Sequence, residues 1–253
     1  MSLEDCANAL REHDPDRFGI CLMVASEARP KLLTLYALNL ELARAPLAST
    51  EPLIAEMRLQ WWIERLEDIG AGKPQSHELL TPLAESWGPR AAAFATLAEP
   101  RRRDAAREPH NGPDAVAAYV RDTAVPLASF AAEALDGPTA ATPALAAQAE
   151  GVGLAHWLAA LPALQGLGLG LWDPSPQALG QIATKAGTKL AEAKAQRRAV
   201  PRRLAPLLFP GAGIQAALQA APQGIEALAG AAPSEFRRRL ALGAFALGHR
   251  WWI

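Results

Sequence analysis

The chain has 253 residues, half of them hydrophobic, and a formal net charge of −1. That length and apolar content suffice for one helical core, so a single domain over 1–253 is expected. The balanced charge provides no global field to draw nucleic acid, and two cysteines exclude a disulfide framework or cysteine metal cluster.

Leu and Ala dominate while β-branched and aromatic residues are sparse, which favours helix throughout. Ser2 and Asp5 form a capping box opening a first helix that runs to about Glu12. Its charges interrupt the N-terminus before an apolar region forms, against a secretory leader. With Cys6 and Cys21 read as small helix-face residues, a reducing, cytoplasmic setting is expected, with a place at the inner face of the membrane as the further possibility. A short helix carrying Phe18, Ile20, Leu22 and Met23 follows Asp14-Pro15-Asp16. Residues 28–44 are apolar nearly all round, the pattern of a buried central helix. Thr50 is placed as the cap of the next helix, which carries Pro52 in its first turn and ends at Gly70. Helical stretches near 78–87 and 90–98 precede a charged segment from Arg101 to Gly112, read as exposed. A long helix from Asp114 to Leu135 contains Pro126, which should kink it. Further helices are expected at about 143–165, 176–196, 213–229 and 234–250.

Charge is uneven: residues 1–136 carry 21 acidic and 14 basic side chains, residues 137–253 carry 5 and 11. These halves are expected to pair within the fold, leaving open whether Lys185, Lys189, Lys194, Arg197, Arg198, Arg202 and Arg203 face a membrane or partner. Trp251-Trp252-Ile253 either dock into the core or rest at an interface. Segments 151–172 and 204–225 are uncharged and long enough to span a bilayer, but Pro162, Pro206, Pro210 and Pro222 argue for buried helices and loops.

Two segments, Leu35-Tyr36-Ala37-Leu38-Asn39-Leu40-Glu41-Leu42-Ala43-Arg44 and Glu51-Pro52-Leu53-Ile54-Ala55-Glu56-Met57-Arg58-Leu59-Gln60-Trp61-Trp62, resemble the squalene/phytoene synthase family. They look closest to its branch with a mitochondrial respiratory complex I assembly factor and bacterial relatives. Asp14 to Phe18, Arg29 with Leu33, and Asp122-Thr123-Ala124 also fit. The resemblance implies an all-α, isoprenoid-synthase-type helical bundle around a central cavity. It also implies head-to-head joining of two prenyl diphosphates. Magnesium assists that reaction by neutralising the departing diphosphate, and the family holds it with two Asp-x-x-x-Asp pairs.

Laid on those pairs, this sequence has Ala43 and Leu47, then Ala160 and Leu164. No Asp-x-x-x-Asp occurs in the chain, and Leu40 and Glu41 stand where enzymes commonly carry arginines. The expected protein is therefore non-catalytic and cofactor-free, binding an isoprenoid, a lipid or a membrane respiratory-complex subunit. The candidate pocket and signature residues are Tyr36, Asn39, Glu41, Arg44, Glu51, Arg58, Gln60, Trp61, Trp62 and His156. His156 is read mainly as a hydrogen-bonded core group. Asn39 and Glu41 are read mainly as a buried network partnered by Arg44 or Arg58. The alternatives are an active prenyl transferase using magnesium on Glu41, Glu64 or Asp68, and a ligand-free scaffold. Glu64, Glu67 and Asp68 otherwise read as a solvated helix face.

Overall fold

A computed structural model describes residues 3–252, so Ser2 of the expected capping box and Ile253 lie outside the described residues. Among them there are twelve α-helices, several 3₁₀ segments and no strand beyond an isolated bridge between His110 and Leu171. The fold class is all-α. The residues pack as two compact units that meet in sequence between Ala106 and Arg107.

The first unit contains α1 (Leu3–His13), α2 (Pro15–Met23), α3 (Arg29–Arg44), α4 (Pro52–Gly70), α5 (Leu80–Trp87) and α6 (Arg102–Ala106). Proline opens α2, α3 and α4, where its missing donor costs no helical hydrogen bond and its fixed φ suits the first turn. Asp14 caps α2: its side chain accepts from Arg17 N at 3.1 Å and pairs with the Arg17 guanidinium at 2.8 Å. As its all-round apolar pattern requires, α3 is the central helix, with every residue from Leu32 to Asn39 buried. Thr34 is tolerated there because its hydroxyl donates to Pro30 O at 2.9 Å.

Three local expectations change in this unit. Glu51, not Thr50, occupies the cap position of α4, and it makes no side-chain cap. The expected end of α4 at Gly70 holds, and the chain turns at Gly72, with φ +72° and Lys73 N donating back to Asp68 O at 2.8 Å. Gly70 also allows close packing, since a Cβ there would lie 2.6 Å from Ala92 Cβ. That neighbour lies in Gly88–Leu97, which is a 3₁₀ segment rather than the expected α-helix. The arginines after Glu99 are not an exposed loop: Arg101 is part of a 3₁₀ turn and α6 starts at Arg102, with Asp104 buried.

The second unit contains α7 (Pro113–Ala134), α8 (Thr142–Gly166), α9 (Pro176–Ala195), α10 (Ile214–Ala220), α11 (Ile225–Gly230) and α12 (Glu235–Gly248). Helix α7 continues through Pro126 and α8 through Pro162. Glycines set the contacts of α8. A Cβ on Gly151 would stand 2.8 Å from Leu190 Cγ on α9, and one on Gly153 would stand 2.7 Å from Val120 Cγ1 on α7. Leu154, Leu158 and Leu161 fill the core between these helices with Leu179 and Ile182. The helix expected at 213–229 is broken by Pro222 and by Gly224, whose φ is +105°.

Within this unit an exposed ion pair joins the acidic half to the basic half, while other basic groups bind backbone carbonyls or acids of their own half. Lys185 meets Asp114 at 2.8 Å, and Arg203 donates to Leu135 O and Asp136 O. Lys189 reaches Glu150 and Glu192 at 3.5 and 3.3 Å, and Lys194, Arg197, Arg198, Arg202 and Arg203 of the basic run are exposed. Trp251 is docked, 3 % exposed, with its carbonyl accepting from Gln148 Nε2 at 3.4 Å.

Candidate functional site

The C-terminal end of α3 and the first half of α4 bound a cavity of about 360 Å³. Glu41, Arg44, Ala45, Ala48, Arg58, Trp61 and Trp62 line it. A 3₁₀ turn over Ala45–Leu47 reverses the chain between the two helices, so segments recognised separately in the sequence face one another. Trp62 is buried and Trp61 half-exposed. Their rings meet edge to face at 4.9 Å, with the His77 ring at 5.5 and 5.6 Å. This aromatic cluster makes a stiff apolar wall.

The polar wall is mostly cationic. Glu41, its one carboxylate, lies 3.9 Å from Arg44, a long and half-exposed contact that contributes at most about 1 kcal/mol. Arg58 adds a second exposed guanidinium. Two guanidiniums over an aromatic and alanine floor suit a planar or tetrahedral anion attached to an apolar body.

The other signature residues support this wall. Asn39 is buried, and its partner is Arg101 rather than Arg44 or Arg58: Arg101 Nη2 donates to Asn39 Oδ1 at 3.0 Å. Gln60 accepts from Arg102 Nη2 at 2.9 Å and donates to Glu64 at 3.2 Å. Arg102 also grips Glu56 and, at 2.8 Å, Glu99. Sequence reasoning missed these arginines because their partners lie some forty to sixty positions upstream. Tyr36 is buried with the Arg17 guanidinium 5.4 Å from its ring, and burial pushes its phenol pKa up. Arg29 Nε donates to Cys21 O at 3.1 Å, joining α3 to α2. Glu51 is exposed at the start of α4.

His156 lies exposed on α8, so its reading as a core group does not hold; the apolar stretch around it misled, because α8 leaves one edge to solvent. Asp122 is exposed beside Arg121, at 3.2 Å.

The magnesium implied by the sequence resemblance needs hard oxygen ligands. Ala43, Leu47, Ala160 and Leu164 offer no side-chain oxygen, and Leu47 and Ala160 are exposed. Of the triplet Glu64, Glu67 and Asp68, Glu64 and Asp68 face Arg65 at 3.7 and 3.1 Å, so a cation already sits against two of its carboxylates. Among the described residues no three His, Cys, Asp or Glu side chains gather as a ligand group. This donor set does not fit magnesium.

Comparison with known proteins places these features. The squalene/phytoene synthase family matches over residues 10–160. Human NADH dehydrogenase (ubiquinone) complex I, assembly factor 6 is 33% identical over 69 residues, 27% of this chain. The chain spans about a fifth of that relative's length, 21%. A dehydrosqualene synthase solved with a ligand shares the fold at TM-score 0.71 and 11% identity, covering 96% of this chain and 94% of its own. Squalene synthase HpnC from Alicyclobacillus acidocaldarius does so at TM-score 0.66 and 15% identity, covering 98% and 94%.

Proposed function

We propose that this chain, which belongs to the squalene/phytoene synthase family, binds an amphipathic anionic ligand without turning it over. The observation that carries this reading is the donor set: carbon side chains at the four positions matched to the family's metal-binding aspartates, and a cationic cavity lined by neighbours of Ala43 and Leu47 in sequence. Without hard ligands for magnesium, a diphosphate leaving group lacks the metal-ion charge that stabilises its departure in the family's reaction. Arg44 and Arg58 would hold the anionic end of an isoprenoid or lipid, and Trp61 and Trp62 would cover the first part of its apolar body.

The limited similarity to a complex I assembly factor supports a role beside a membrane respiratory complex, with a subunit of that complex as partner. Among the described residues no helix is long and apolar enough to cross a membrane; in this reading the protein acts peripherally, at the membrane's inner face. Titrating the chain with farnesyl diphosphate in EDTA, read by tryptophan fluorescence, tests the cavity. Saturable quenching weakened about tenfold by Arg44→Glu or Arg58→Glu is expected, since each swap replaces an attraction with a repulsion. Quenching indifferent to both substitutions would remove the cavity from the account.

A further inference from the structure

We propose that α12 is the element that lies on an anionic bilayer surface. The inference rests on the peripheral reading above and deepens it by assigning the contact. Only Phe245 of α12 is buried. At about 100° per residue, the opposite side of the helix carries Phe236, Leu240 and Leu247 as one stripe. Their exposures are 74, 60 and 88%. Gly243 falls within the stripe, and a Cβ built there meets nothing within 4 Å, so the protein leaves this face uncovered.

The stripe has an arginine on each flank. Arg237 and Arg239 project from its two flanks, and Arg238 is exposed between them in sequence. The helix's one acid, Glu235, is held by Arg239 at 3.0 Å. Nearby Arg250 is also exposed. An apolar strip between guanidiniums matches acyl chains lying beneath anionic headgroups. A second copy of this face would set arginine against arginine, which disfavours self-pairing. Fourteen residues rise about 21 Å, short of a roughly 30 Å hydrocarbon layer, so α12 lies in the interface plane.

Co-sedimentation of the full chain with vesicles tests this assignment. Mixed phosphatidylglycerol–phosphatidylcholine vesicles should pellet the protein at low salt, and phosphatidylcholine alone should not. Phe236→Glu with Leu240→Glu should cut the bound fraction about tenfold, by losing apolar insertion and adding repulsion. Arg237→Glu with Arg239→Glu should do the same while leaving the apolar stripe intact. All four positions are solvent-facing, and unchanged thermal melts would show that the variants fold. Pelleting that persists in both variants would overturn the role of α12 and leave the peripheral reading standing. No pelleting of the wild type would overturn both. Self-association by sedimentation velocity, lost in Phe236→Glu with Leu240→Glu, would assign the stripe to a second copy instead.

Discussion

Cys6 and Cys21 are buried thiols, 4 and 0% exposed, with no disulfide between them. Burial, with lesser pushes from Asp5 and Asp14 respectively, raises their pKa values from 9.0 to about 11 and about 12. The folded chain therefore holds these protons more tightly than the unfolded chain does. Stability from this source is complete below about pH 9 and is lost as pH rises towards the folded values. The urea midpoint should fall as pH rises from about 9 towards about 11, and Cys21→Ala should shrink that fall. A fall of the same size in the variant would assign the alkaline effect elsewhere. Residue-level legibility was uneven for a related reason. Burial of the cysteines follows from their place on apolar faces, and Tyr36, Asn39, Gln60 and Trp62 were identified by their segment. The partner of Asn39 was not, because nothing local in the sequence specifies which arginine reaches it. His156 shows the converse, since apolar neighbours say little about which edge of a helix meets solvent.

At the scale of elements, small residues decide how closely helices approach. Gly151→Ala should destabilise by about 1–3 kcal/mol, because the added methyl meets Leu190 and, at 3.1 Å, the Ala186 carbonyl. Gly187→Ala on α9 is the control: a Cβ there meets nothing within 4 Å, so helix propensity should stabilise by about 0.5–1 kcal/mol. Thermal melts of the two variants should move in opposite directions; a gain for Gly151→Ala would refute the close α8–α9 packing. Helix existence was readable from prolines at first turns and from apolar periodicity, as α3, α7 and α9 show. The misreadings occurred where 3₁₀ and α geometry compete. Gly88–Leu97 has an alanine-rich sequence compatible with either, and it packs against α4 in the tighter form. The break at Pro222 and Gly224 carried its own signals, which outweighed the surrounding Ala-Leu propensity.

For the whole molecule, a fold shared at 11 and 15% identity shows how little of the sequence the helical arrangement requires. It also leaves function to the sites. The inherited geometry brings α3 and α4 together around a cavity, and the side chains placed there are guanidiniums, indoles and a paired Glu41 rather than a carboxylate cluster. On the proposed function, the cavity binds its ligand without turning it over. Incubation of the purified chain with farnesyl or geranylgeranyl diphosphate and magnesium, with diphosphate release and prenyl products followed together, tests that reading most directly. Neither signal should exceed the protein-free control. Release of diphosphate with formation of a joined prenyl product, abolished by Glu41→Ala or Asp68→Ala, would contradict it.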